Sequence, residues 1–158
     1  MIQRKQTIFL VLSLLAFVFL FIAPFASFNV GTVLTADIGI RGVQNLDDFT
    51  KFNYMFFIMQ GLTTLFMSLV GISIFMYKKR PLQMRLCMGA FLTNVFLVGA
   101  MFFTTTLFSN FFGLSNENLM NYLFPTYIPI VTLLLVGAAT RSIRKDEALA
   151  RSLNRLRK

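Results

Sequence analysis

The sequence predicts an all-α membrane protein, a bundle of four transmembrane helices. Long uncharged apolar runs, a small charged fraction and a one-sided distribution of basic residues support this fold class. The chain is 56% hydrophobic and 13% charged, whereas soluble domains are about 45–50% apolar and about 25% charged. Because so little charge cannot coat a soluble globule, we expect lipid to surround most of the chain.

Four apolar runs are each long enough to cross about 30 Å of hydrocarbon at about 1.5 Å per residue. The predicted spans are about residues 7–28, 53–77, 86–108 and 122–140. None of these runs contains a charged residue. We therefore predict a four-span transmembrane domain over residues 1–140 and a separate tail over residues 141–158.

The first run also has the features of a cleavable signal peptide, with Arg4 and Lys5 as its charged start. A signal peptide has an apolar region of only about 7–15 residues, and this run is longer. The nearest small residues, Ala23 and Ala26, do not form an A-x-A cleavage site. We therefore predict that the run is retained as a span.

The basic residues set the predicted orientation, because cationic segments resist translocation and favour the anionic cytoplasmic leaflet. Thirteen of the 15 Lys and Arg residues fall on one side of a four-span arrangement. These are Arg4, Lys5, Lys78, Lys79, Arg80, Arg85, Arg141, Arg144, Lys145, Arg151, Arg155, Arg157 and Lys158. We therefore expect both termini and the turn at residues 78–85 to be cytoplasmic.

The outer loop at residues 29–52 has a composition compatible with a short β-hairpin. Residues 30–35 and 38–43 combine β-branched side chains with Gly. The alternation is loose, so an irregular loop is the alternative. In the second outer loop, Ser115 and Asn116 are candidates to cap a helix before the fourth span.

Gln60 and Asn94 are the most polar side chains within the predicted spans. We expect them to form interhelical hydrogen bonds, worth about 0.5–2 kcal/mol in a membrane. A ligand site is the alternative. The hydroxyls of Thr104, Thr105 and Thr106 are expected to bond to backbone carbonyls one turn back.

The tail at residues 141–158 resembles a basic amphipathic helix, with Leu149, Leu153 and Leu156 at helical spacing. The residues expected to contact anionic lipid or a protein partner are Arg141, Arg144, Lys145, Arg151, Arg155 and Arg157. We predict that this helix lies on the inner leaflet. A solvated helix without a partner, a protein contact and a nucleic-acid contact are the alternatives. Nucleic acid is the least favoured, because topology alone places the basic residues there.

The sequence does not contain the residues that most enzymes of this size use. His is absent, and Cys87 is the single cysteine. The commonest general base and the commonest transition-metal ligand are therefore missing, and no disulfide or cysteine cluster can form within the chain. We predict no catalytic, cofactor-binding or metal-binding residues, no cofactor and no enzymatic activity.

The start at residues 1–10 and the tail at residues 141–157 resemble a bacterial family of short four-span membrane proteins, catalogued as a domain of unknown function. The chain differs at Asn154, where the family more often has Asp. The resemblance implies a multi-pass protein of the bacterial cytoplasmic (inner) membrane and brings no activity, substrate or site residue.

Two functions follow as hypotheses. The first is a non-enzymatic scaffold or accessory subunit, with membrane lipids and a membrane protein as its partners. The second is a small transporter or lipid-handling protein that uses an apolar groove between spans, around Gln60 and Asn94. The sequence does not predict an oligomeric state.

Overall fold

The computed structural model describes residues 3–30, 34–44, 53–77, 79–111 and 120–156. Its helices are α1 (Gln3–Ile22), α2 (Asn53–Phe75), α3 (Arg80–Phe111) and α4 (Ile128–Leu156), with a short 3₁₀ helix at Phe124–Tyr127 before α4. Its strands are β1 (Ala26–Val30), β2 (Leu34–Gly39), β3 (Gly42–Gln44) and β4 (Met120–Tyr122). The fold is therefore mostly helical, with one small sheet.

Three of the helical segments are long and apolar enough to cross a membrane. They are Asn53–Phe75, Arg80–Phe111 and Phe124–Leu149, and the apolar part of α1, Gln6–Ile22, is shorter. The second predicted span begins with α2 and ends two residues after it, and the third predicted span lies within α3. The helices are compatible with a membrane protein by length and composition.

The first predicted span is too long at its C-terminal end. Helix α1 ends at Ile22, and the residues from Ala26 onward form β1 instead of a helix. The change follows from Pro24, which has no backbone donor and disfavours the helical conformation of the residue before it.

The fourth predicted span differs from the structure at both ends. It starts inside β4, and the main helix begins only at Ile128, after the 3₁₀ helix that contains Pro125. At its other end α4 continues without a break to Leu156. The tail is therefore a continuation of α4 as far as Leu156.

The four strands form one antiparallel sheet in the order β3-β2-β1-β4. A small antiparallel sheet is thus present where a hairpin was expected in the first outer loop, but β1 lies mostly within the predicted first span. Strand β4 adds a strand from the second loop. Side chains alternate across the sheet: Ala26, Phe28 and Ile38 are fully buried, whereas Ser27 and Asp37 are partly exposed. The expected caps Ser115 and Asn116 lie outside the described residues.

Each helix packs mainly against two others, so that α1 lies beside α2 and α4, and α3 lies beside the same two helices. The α1–α2 contact includes Phe17 and Phe66, which are fully buried and stacked with ring centroids 3.8 Å apart. Phe28 of the sheet packs against Phe108 of α3, with ring centroids 6.1 Å apart. The sheet therefore covers one end of the bundle.

Candidate functional site

A polar cluster joins three parts of the chain at the end of the bundle opposite the sheet. The side-chain amide of Gln6, in the first turns of α1, donates a hydrogen bond to the carboxylate of Asp146 on α4. Arg80, the first residue of α3, donates from Nη1 to the backbone carbonyl of Asp146 at 3.0 Å. Asp146 therefore links the start of α1, the turn between α2 and α3, and the late part of α4.

The cluster lines a small polar cavity, which we call the headgroup cavity. Its lining residues are Gln6, Thr7, Tyr77, Arg80, Gln83, Ile143 and Asp146. Gln6 and Gln83 are only 6% and 3% exposed. The cavity volume, measured as the space open to the centre of a water-sized sphere, is about 10 Å³. This is roughly enough for one water molecule.

An apolar groove opens between α1 and α2 beside the headgroup cavity, and we call it the α1–α2 groove. Its lining residues are Thr7, Ile8, Val11, Leu12, Leu15, Ile74 and Tyr77. By the same measure it has about 630 Å³ of room. Thr7 and Tyr77 line both spaces, so the polar cavity and the apolar groove adjoin each other.

Exposed basic residues lie on the same segments of the chain as this site. Lys79 is exposed at the α2–α3 turn, and Arg141, Arg144 and Lys145 are exposed on α4. Between them, Ile143 is 1% exposed and packs into the core, which anchors this part of α4 to the bundle. Arg157 lies outside the described residues, as do the side chains of Arg151 and Arg155.

Asn94 forms a second polar junction, deep in the bundle between α3 and α4. It is fully buried, and its Nδ2 donates to the backbone carbonyl of Pro129 at 3.0 Å and to Thr132 Oγ1 at 2.9 Å. Its Oδ1 has no partner within the described part of the chain. The side chain therefore makes interhelical contacts while one acceptor remains unused.

Gln60 contacts the sheet and not a neighbouring helix, which differs from the expected interhelical role. Its Nε2 donates to the backbone carbonyl of Arg41 at 3.3 Å, in the turn between β2 and β3. The Arg41 guanidinium lies 4.8 Å from the centre of the Phe21 ring on α1. The β2–β3 turn packs against α1 and α2, and its backbone carbonyl accepts the Gln60 hydrogen bond that we expected a neighbouring helix to accept.

The structure therefore places Gln60 and Asn94 at separate sites. A second apolar groove runs between α1 and α4, and its lining includes Phe19, Phe124 and Val131. Neither Gln60 nor Asn94 lines this groove or the α1–α2 groove. The headgroup cavity was missed by the sequence analysis because Gln6 and Asp146 are 140 positions apart, and no local pattern connects them.

A scan against protein families matches residues 2–156 to DUF4293, a domain of unknown function. The match covers nearly the whole chain. The chain belongs to this family. A search of curated proteins found no match. Membership of DUF4293 assigns no activity.

Proposed function

We propose that this DUF4293 chain is an integral membrane protein with four helical spans, acting as a non-enzymatic scaffold or accessory subunit. The distribution of polarity carries the proposal. Large apolar side chains point outward from the helices: Leu15, Phe57, Phe96 and Leu134 are 59%, 72%, 68% and 71% exposed. In water such a surface would aggregate, whereas in lipid it is the expected exterior.

Polar side chains of the same helices are buried within the bundle and form their hydrogen bonds there. Thr63 and Thr104 are almost fully buried and donate to backbone carbonyls one turn back, at 2.7 and 2.8 Å. Ser73 on α2 and Cys87 on α3 form a buried contact of 3.1 Å. Such self-satisfied groups cost little in a bilayer, where water cannot take their hydrogen bonds.

In this proposal helix α1 also crosses the membrane, in addition to the three helical segments that are long and apolar enough by themselves. Its apolar part, Gln6–Ile22, gives about 25 Å of helix, which is at the short end of the range for a membrane span. Its charged residues, Arg4 and Lys5, lie in its first turn, before the apolar part begins. The contact between Gln6 and Asp146 supports an even number of spans, because it holds the start of α1 beside the late part of α4.

We infer that the basic end faces the cytoplasm, which places both termini there, in the cytoplasmic membrane of a bacterium. Lys79, Arg80 and Arg144 lie at this end, in accordance with the positive-inside rule. The sheet, which includes Asp37, is at the opposite end and therefore lies on the outer side of the membrane.

The length of α4 supports a scaffold role. Its 29 residues extend about 44 Å, which exceeds the hydrocarbon thickness of about 30 Å. The part after Asp146, beyond the contacts with Gln6 and Arg80, therefore extends from the membrane surface, with Leu149 48% exposed. The exposed Arg144 and Lys145 lie at its base. The basic residues at the base of this helix can contact the inner-leaflet headgroups. The exposed Leu149 beyond them can contact a protein partner.

Site-specific photo-crosslinking in intact membranes tests the scaffold role. We expect a photoreactive residue at Leu149 to give a discrete protein adduct. The matched control is Phe96, an exposed apolar position in the middle of α3, which should give lipid adducts alone. Lipid adducts alone at both positions would contradict a protein partner for this helix.

The two grooves along α1 favour lipid handling as a second candidate function. A lipid-handling protein should accelerate the transfer of a fluorescent phospholipid between vesicles, whereas a scaffold should leave the rate unchanged. A transfer rate above that of protein-free vesicles would therefore favour the second candidate.

A further inference from the structure

The headgroup cavity and the α1–α2 groove form one amphipathic site, because Thr7 and Tyr77 line both. We propose that this site binds a phospholipid whose headgroup ends in a primary amine, with the ammonium in the cavity and an acyl chain in the groove. The inference rests on the proposed membrane insertion, which brings inner-leaflet lipid to the open end of the site.

The cavity fits a primary ammonium by charge and by size. Asp146 contributes a carboxylate, which can accept about four hydrogen bonds and receives one from Gln6. The buried amides of Gln6 and Gln83 add acceptor oxygens. The room for about one water-sized group suits an ammonium, whereas the three methyl groups of a choline headgroup exceed it.

Arg80 supplies the contact for the lipid phosphate. A guanidinium has five N–H donors in a planar fork that matches phosphate oxygens, and the Nη1 bond to the Asp146 carbonyl uses one of them. The neighbouring Lys79 is exposed and adds positive charge. Arg80, which can bind the phosphate, therefore lies beside Asp146, which can bind the amine. The two charges are complementary to the adjacent phosphate and ammonium of a zwitterionic headgroup.

The groove accommodates the acyl chain where it leaves the headgroup. Ile8, Val11 and Leu15 extend along about 10 Å of α1, which is roughly a third of the hydrocarbon thickness. This is the depth that the upper part of an inner-leaflet chain occupies. The apolar groove thus adjoins the polar cavity as the acyl chain of a lipid adjoins its headgroup.

The carboxylate of Asp146 distinguishes this proposal from general attraction to anionic lipid. An anionic headgroup without an amine would bring its phosphate to the same cavity and leave Asp146 facing a like charge, which is unfavourable. The exposed residues Arg141 and Arg144 can still attract anionic lipid at the surface, but they do not line the cavity.

Competitive lipid binding to the full chain tests the proposal. The purified protein is equilibrated with mixed micelles of phosphatidylethanolamine, phosphatidylcholine and phosphatidylglycerol in equal amounts, and the lipid retained is measured by mass spectrometry. We expect the wild type to retain the ethanolamine lipid about tenfold over the choline lipid, as one charge-assisted hydrogen bond would give. Equal retention of the two, or preferred retention of the glycerol lipid, would overturn the proposal.

Two pairs of variants locate the site. Asp146→Asn should abolish the preference for ethanolamine, whereas Glu147→Gln, which neutralises a carboxylate outside the cavity, should keep it. Val11→Trp should fill the groove and reduce all retained lipid, whereas Val95→Trp, at a similarly exposed position on α3, should not. If D146N keeps the wild-type preference, the proposal is wrong.

Failure of this inference is distinguishable from failure of the proposed function. A chain recovered from membranes without a headgroup preference would refute the lipid site and leave the four-span proposal intact. A chain recovered in the soluble fraction would refute both.

Discussion

The side-chain amide of Asn94 on α3 donates a hydrogen bond of 2.9 Å to Thr132 Oγ1 on α4, where both residues are fully buried. Thr132 in turn donates to the carbonyl of Pro129, which also accepts from Asn94. Polar contacts of this kind link transmembrane helices where lipid offers no other partner. The α3–α4 interface therefore depends on this triangle of hydrogen bonds.

Substitution of Asn94 and Thr132 together should reveal their coupling. We expect a double-mutant cycle of Asn94→Leu and Thr132→Val to give about 0.6 kcal/mol, and at most about 1.7 kcal/mol, the range for polar contacts between membrane helices. Unfolding of the detergent-solubilised protein measures it. Ser68→Ala is the control, because Ser68 is exposed and bonds only within α2. No coupling between N94L and T132V would contradict the contact.

Phe66→Ala should weaken the α1–α2 interface, because Phe66 is fully buried and stacks on Phe17. The loss should be smaller than the roughly 3–5 kcal/mol typical of Phe→Ala in soluble cores, since lipid is as apolar as the protein interior. Phe57→Ala is the matched control on the same helix, because Phe57 is 72% exposed. Equal thermal stability of F66A and F57A would argue against this packing.

Gly42→Ala should destabilise the turn between β2 and β3. Gly42 has a φ of 145°, a conformation that L residues rarely adopt, so we expect a cost of about 1 kcal/mol or more. Faster hydrogen exchange in β2 and β3 would register the change. Gly61→Ala is the control: nothing lies within 4 Å of its added Cβ, so it should be neutral or slightly stabilising.

Thr126→Val should loosen the junction between the sheet and α4. The Thr126 hydroxyl donates to the backbone carbonyl of Phe25, which also accepts from the Leu123 backbone amide at 2.9 Å. Loss of one bond to a buried acceptor should cost about 1 kcal/mol and raise exchange in β1 and β4. Thr106→Val, at an exposed site on α3, should leave both strands protected; similar exchange in T126V and T106V would contradict this role.

Local patterns predicted the positions of the helices better than they predicted the residues at which the helices begin and end. Helix α2 begins at the predicted residue, Asn53, because its whole length is a single uncharged run. The β-branched residues and glycines of residues 30–43 indicated strands in the first loop, where β2 and β3 lie, but β1 falls mostly within the predicted first span. Strand β4 could not be predicted, since its three residues become a strand only by pairing with β1, far earlier in the chain.

The candidate site was less predictable than the fold. Asp146 lies in the tail that the sequence analysis singled out, but its neighbours gave it the appearance of one charge on a basic helix. Its contacts with Gln6 and Arg80 come from tertiary packing at the end of the bundle. Asn94 was identified because an amide within an apolar run needs a partner there.

Cysteine labelling from one side of the membrane tests the four-span topology most directly. In a Cys87→Ser background, single cysteines are placed at Lys79 and Arg144 on the basic end, and at Gln44 and Asn121 on the sheet, all of them exposed. With a membrane-impermeant maleimide on intact cells, we predict labelling at Gln44 and Asn121, and labelling at Lys79 and Arg144 only after permeabilisation. Labelling of Lys79 and Arg144 from opposite sides, or of Lys79 together with Asn121 in intact cells, would contradict the account.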